Sequence, residues 1–183
     1  MAATRERALE AAVELLGTEG IRALSHARVD ARAGLPAGST SNWFRTRRSL
    51  LAGIVDWIAV SERAELDPAL MPIPTDAEAL IELLTALLES QTGPHAARTR
   101  ARYALFLELA ADPDLNELHR RQRREFERLG EQLAAAAGVP DPVQSARALM
   151  AISDGLVFHR LTIDPTLDLR PPIERAVRAL ADQ

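Results

Sequence analysis

From Thr4 to Thr18 the apolar residues Leu9, Ala12, Val13 and Leu16 fall at i, i+3, i+4 and i+7, the stripe of an amphipathic helix, and Gly20 ends it. Ser25 reads as the N-cap of a second, short helix running to about Ala33, with Val29 facing inward and Gly34 as its stop. A third helix is predicted to begin near Pro36, where a missing N–H costs little in the first turn, and to reach Trp43 or Phe44. Leu50, Leu51, Ile54, Val55 and Ile58 mark a fourth, extending to about Arg63. Pro68, Pro72 and Pro74 then break the chain, and Leu80, Leu83, Leu84, Leu87 and Leu88 form the next stripe, closed by Gly93-Pro94. Tyr103, Leu105, Phe106 and Leu109 begin another, and Asp112-Pro113-Asp114 opens a long charged helix reaching about Ala137. After Gly138-Val139-Pro140 a largely apolar helix runs from about Pro142 to Leu161, and Pro171 to Ala181 makes a final short one. No segment alternates as a strand would, and there is no internal repeat or low-complexity stretch, so the pattern predicts an all-α fold.

The second and third helices, joined by Ala33-Gly34-Leu35-Pro36, have the proportions of a helix-turn-helix, whose second helix lies in the DNA major groove. A helix entering the groove by its N-terminal end needs small residues there, and Ala37, Gly38, Ser39, Thr40 and Ser41 provide them. Their hydroxyls can bond phosphates or base edges, and Asn42 can address adenine with both of its amide groups. Arg45, Arg47 and Arg48 follow at the start of the fourth helix, where side-chain charge and exposed N–H groups would hold a phosphate together, and Arg28 and Arg32 would extend that contact. The candidate DNA-binding set is Ser25, Arg28, Pro36, Ala37, Gly38, Ser39, Thr40, Ser41, Asn42, Trp43, Arg45, Arg47 and Arg48. Taken without the turn beside them, the arginines read as a solvated face; Phe44 reads as a core anchor, and Trp43 as either core or interface.

Charge supports the division. The chain has 183 residues and a net charge of −4, but residues 1–50 carry +3 and residues 51–183 carry −7. Residues 25–48 hold five Arg against the single acid Asp30. Every basic residue is Arg, which suits two-pronged contacts with phosphate or guanine. The length allows a small domain attached to a larger one: residues 1–48 as the DNA-binding domain, and 49–183 as a larger helical domain.

The absence of cysteine excludes disulfides, thiolate metal sites and thiol catalysis. The sequence also lacks a phosphate loop, a Gly-rich dinucleotide turn and a His-Glu-x-x-His pair, and its four His, at 26, 95, 119 and 159, show no zinc-ligand spacing. Asp112, Asp114 and Glu117 near His119 read as helix-start chemistry. An enzyme, a metal site and a cofactor are therefore not expected. The N-terminus does not read as a secretory signal and no apolar run spans a bilayer, so a cytoplasmic protein with no membrane partner is expected.

The run Val29-Asp30-Ala31-Arg32-Ala33-Gly34-Leu35-Pro36-Ala37-Gly38-Ser39-Thr40-Ser41-Asn42-Trp43-Phe44-Arg45-Thr46-Arg47-Arg48-Ser49-Leu50 resembles, without a gap, the N-terminal pattern of the TetR family of transcriptional regulators. That pattern runs roughly Ile-Ala-x-x-Ala-Gly-Val-Ser-x-Gly-(Thr/Ser)-(Leu/Ile)-Tyr-x-His-Phe-x-x-Lys-(Glu/Asp)-x-Leu. The departures fall where the family meets DNA. Pro36 replaces the capping Ser, Thr40 the aliphatic, Ser41 the phosphate-touching Tyr, Trp43 the His and Arg47 the Lys, while Asp30 stands where Ala is usual.

The resemblance implies a homodimer built on the last two long helices, a palindromic double-stranded operator and a small-molecule effector, most simply one that releases a repressor. Leu149, Ile152, Gly155, Leu156, Val177 and Leu180 are the candidate dimer residues, although an ordinary buried helix explains the apolar run from Ala146 to Leu161 as well. Trp57, Tyr103, Phe106, Phe126, Met150, Asp154 and Phe158 are the candidate effector pocket, in a chain with only 4% aromatics. Phe106 reads more readily as core than as pocket wall, and His159 as a cap for carbonyls at a helix end. Asp154, an acid among apolar neighbours, is expected to pair with an Arg, for instance across the dimer, rather than to bind a ligand. A regulator without an effector fits the same residues.

Overall fold

The computed structural model describes residues 2–66, 72–110 and 112–182. Its helices are, in chain order, α1 (Ala2–Glu19), α2 (His26–Ala33), α3 (Ser39–Trp43), α4 (Arg47–Glu65) and α5 (Ala77–Thr92). α6 (Ala96–Leu109), α7 (Pro113–Ala136), α8 (Pro142–Thr162) and α9 (Arg170–Ala181) complete the order, and a 3-10 turn at Ile21–Ala23 follows α1. Among the described residues there is no strand, so the all-α expectation holds, and no helix is long and apolar enough to cross a membrane. Pro68 of the predicted break lies outside the described residues.

Two units divide the packing: Met1–Glu65 with Ala96–Arg121, and Leu66–His95 with Gln122–Gln183. In the first, α1 is the hub. Leu9, Ala12, Val13 and Leu16 are buried as their spacing predicts, and Ala8, Ala11 and Leu15 widen the stripe because α1 packs against α2, α4 and α6 together. Gly17 is what allows α6 so close, since a side chain there would overlap the Ala97 backbone. Gly53 makes similar room on α4 for the ring of Phe44, which lies in the core as expected and carries Arg5 at 5.2 Å over its face. The packing groups α4, α6 and the first turns of α7 with the leading helices, whereas the ranges 1–48 and 49–183 divide the chain by expected task.

Local signals set most helix ends. The Ser25 hydroxyl accepts from the Arg28 N–H at 3.3 Å, and Gly34 closes α2 in the left-handed region at φ 61°. α4 begins at a capping box: the Ser49 N–H donates to the Thr46 hydroxyl oxygen (3.0 Å) and the Thr46 N–H to that of Ser49 (3.1 Å). The third helix departs from expectation. It starts at Ser39 rather than near Pro36, because Gly38 at φ 88° cannot lie inside a helix and Pro36-Ala37-Gly38 form a turn instead.

In the second unit α5, α8 and α9 pack around Leu80, Ile81, Leu149, Val157, Ile173 and Val177. Gly130 lets α7 approach Ala146 of α8, and Asp76 and Asp141 cap α5 and α8. Arg170 bridges to Glu78 and Glu82 at 2.7 and 2.8 Å, tying α9 to α5.

Candidate nucleic-acid interface

α2, the turn and α3 present the helix-turn-helix with Pro36, Ala37, Gly38, Ser41 and Asn42 exposed and Ser39 half-buried. The hydroxyls of Ser39 and Ser41 donate to the carbonyls of Pro36 (2.6 Å) and Gly38 (2.8 Å), whereas the Asn42 side-chain amide has no partner among the described residues. Thr40 is a correction. It was expected at the reading edge, yet it is fully buried and its hydroxyl donates to the carboxylate of Asp30 at 2.5 Å. The same carboxylate accepts the Gly38 and Thr40 N–H groups, each at 2.8 Å. Burial by itself would raise the Asp30 pKa, but the Thr40 hydroxyl, these two N–H donors and the nearby His26 outweigh it, and the pKa falls below the ordinary aspartate value.

Several of the expected arginines are met by acids that fold against them. Arg28 pairs with Glu19, and Arg32 with Glu14 (2.9 Å) and Glu19 (2.5 Å). Arg48 grips Asp112 through two bonds of 2.8 and 2.9 Å and reaches Asp114 at 2.7 Å. These hydrogen bonds raise the Arg48 pKa and hold Asp112 well below the usual carboxylate range. Asp112 also accepts the N–H groups of Asp114 and Leu115, so the helix-start reading of Asp112-Pro113-Asp114 stands with an added ion pair. Arg47 donates to the carbonyls of Leu24 (2.6 Å) and Ile21 (2.9 Å), anchoring the 3-10 turn. Arg45 and Arg22 remain exposed without a partner among the described residues, and Arg22 is a candidate that the sequence pattern did not single out. Trp43 is half-buried against the core, between the two readings held open for it.

The expected effector residues fall in both units. Trp57, Tyr103 and Phe106 belong to the first, where Tyr103 meets Phe106 edge-on at 5.6 Å and Phe106 meets His119 at 4.1 Å. Close to this row, Glu62 pairs with Arg102 at 2.7 Å, all three charged side chains of Glu62, Arg98 and Arg102 being largely buried, and Arg98 holds Glu65 at 2.6 Å. Phe126, Met150, Asp154 and Phe158 belong to the second unit. Asp154 pairs within the chain, with Arg123 at 2.8 Å, and Phe158 is 47% exposed, which removes it from an enclosed pocket within this unit. Of the dimer candidates, Leu149 and Val177 are corrections: both are buried in their own unit. Ile152 and Gly155 are exposed on α8, and Leu156 and Leu180 are half-buried. Among the described residues no three His, Asp or Glu side chains gather for a metal.

Residues 75–183 match the family model described as the tetracyclin repressor-like, C-terminal domain, and that segment is more than half of the chain. The chain belongs to the TetR family. As a TetR-family member it is a DNA-binding transcriptional regulator and not an enzyme. Among solved structures, the multidrug binding protein EbrR complexed with ethidium is 27% identical over 97% of this chain and 98% of that chain, with a TM-score of 0.75. A TetR-family member from Streptomyces coelicolor A3 gives the same identity, coverage and TM-score. A TetR-family regulator from a Rhodococcus species shares the fold at 22% identity, with 98% of this chain and 99% of that chain covered and a TM-score of 0.80. No curated protein matches the chain.

Proposed function

We propose that this TetR-family regulator is a homodimeric repressor whose residues 1–48 hold a palindromic operator and whose residues 49–183 dimerise and bind a small-molecule effector that releases it. Ser41, Asn42 and Arg45 are the exposed reading and anchoring groups of the head, with Ser39 beside them. A two-fold dimer would set two such heads about 34–36 Å apart, one turn of B-DNA.

The observation that carries the effector reading is α4. It starts at Arg47 beside the head, runs 19 residues, and is clamped twice inside one packing unit. Arg48 at its start grips Asp112 and Asp114, and Glu62 near its end holds Arg102 of α6. A compound stacking on Trp57, Tyr103 or Phe106 therefore presses on the helix that positions the head. Ethidium and proflavin occupy solved complexes of EbrR, so planar aromatic compounds are the first probes.

The test uses fluorescence anisotropy with labelled DNA from the intergenic region beside the protein's own gene, unrelated DNA as control, and varied salt. Saturable binding, selective by about a thousandfold or more and steeply salt-dependent, supports the operator reading. Both dyes intercalate into DNA, so their binding is measured by calorimetry on the protein alone, and operator release with compounds that do not intercalate. Unchanged operator affinity in the presence of every compound that binds the protein would sink effector release and leave an effector-independent regulator.

A further inference from the structure

Asp30, Pro36 and Thr40 are three separate departures in the sequence and a single assembly in the fold. Pro36 has no side-chain oxygen to cap α3, and Gly38, which holds the N-cap position, has no side chain at all. The Ser39 N–H turns back to the Pro36 carbonyl at 3.1 Å, but the Gly38 and Thr40 N–H groups at the start of α3 would be left to water. The carboxylate that meets them comes from α2, where Asp30 is 3% exposed and accepts from the N–H groups of Gly38 and Thr40 at 2.8 Å each. The Thr40 hydroxyl supplies a third donor at 2.5 Å, which draws that side chain under the helix and leaves it 0% exposed. An aliphatic side chain at position 40 would leave the buried carboxylate one donor short, and an alanine at position 30 would leave the Thr40 hydroxyl without its acceptor.

We infer that Asp30 and Thr40 are positioning residues for DNA reading: an aspartate on α2 caps the recognition helix from outside, fixes its angle to α2, and replaces the in-line side-chain cap that Gly38 cannot supply. The inference rests on the reading of residues 1–48 as the DNA-binding head. It has a consequence for specificity. With Thr40 held inward, base contact falls to Ser39, Ser41 and Asn42, and a change at position 40 alters sequence preference through the tilt of the helix rather than through a lost contact.

The test compares Asp30→Asn, Thr40→Val and Thr40→Ser with the wild type by two independent readouts. The first is amide hydrogen exchange at Gly38 and Thr40, which needs no DNA. Exchange should quicken at least tenfold in Asp30→Asn and Thr40→Val and stay near the wild-type rate in Thr40→Ser, which keeps the hydroxyl. The second is the ratio of specific to non-specific DNA affinity together with the salt slope. The ratio should fall about tenfold in Asp30→Asn and Thr40→Val, with non-specific affinity and salt slope held within twofold and rescue by Thr40→Ser. Unchanged exchange in Asp30→Asn overturns the cap, and a parallel loss of specific and non-specific binding overturns positioning in favour of general unfolding. A wild-type protein that prefers no DNA sequence, but whose Gly38 and Thr40 amides lose protection in Asp30→Asn, sinks the operator reading and upholds the cap.

Discussion

Arg45 and Arg47 stand two positions apart, and the fold gives them different work. The Arg47 guanidinium donates to two carbonyls of the segment leading into α2, while Arg45 is exposed with no acid to hold it among the described residues. Of the two, Arg45 is therefore the one we propose for the phosphate contact. Arg45→Ala should weaken binding to all DNA and lower the salt slope by about one unit. Arg47→Ala should leave that slope unchanged and lower the melting temperature, by the loss of hydrogen bonds worth about 1 kcal/mol at an exposed site. Salt titration by anisotropy and thermal melting by circular dichroism separate the two, and a flattened slope in Arg47→Ala would reverse the assignment. The sequence shows that both side chains are basic. It does not show that Ile21 and Leu24 turn their carbonyls toward one of them.

At the scale of elements, helix identity came from spacing, but the approach of one helix to another came from glycines. Gly17 reads along the chain as one small residue near the end of α1, and only the nearness of the Ala97 backbone explains it. Gly17→Ala should push α6 away and cost about 1–3 kcal/mol, measured by denaturant unfolding, in the manner of overpacked cores. A variant as stable as the wild type would mean that α1 and α6 slide apart freely. The clamp between Arg48 and Asp112 is the electrostatic counterpart. Asp112 has a folded-state pKa held below its unfolded value of about 3.9, so the clamp stabilises fully above that value and its contribution is lost as pH falls through the folded pKa. Asp112→Asn keeps a side-chain acceptor for the start of α7 and loses the charge. Its melting temperature should lie below that of the wild type at pH 6, with the gap narrowing below about pH 4; equal melting at pH 6 would show that the clamp contributes nothing.

For the whole molecule the open face of α8 is the feature that a lone chain leaves unused. Ile152 on α8 and Ile163 at its C-terminal cap are 39% and 65% exposed, and among the described residues nothing lies within 4 Å of where a Gly155 side chain would begin. Large apolar groups kept at the surface on one helix suit a partner helix, and a glycine among them permits close approach. The double change Ile152→Glu and Ile163→Glu should convert the proposed dimer to a folded monomer and weaken operator binding by at least tenfold, since two tethered heads bind together more tightly than one. Sedimentation velocity and anisotropy check this, and a double variant that remains dimeric places the interface elsewhere. Leu149 and Val177, which share the apolar character of this surface in the sequence, are spent on the unit's own core and should destabilise rather than dissociate when changed.

What the sequence alone determined are features set by neighbours a few positions apart. The helices, the Ser25 cap, the Gly34 stop and the helix-turn-helix frame all follow from stripes and caps within one or two turns, where propensity and hydrogen bonding act on adjacent residues. Only the tertiary structure decided which groups on those helices remain free. Thr40 meets Asp30 from ten residues away and Arg48 meets Asp112 from 64 away, and such pairs exist only because packing the core brings their helices together. Charge and polarity are written along the chain. Exposure is a property of the fold, and it separates the arginines and hydroxyls available to DNA from those that hold the head in shape.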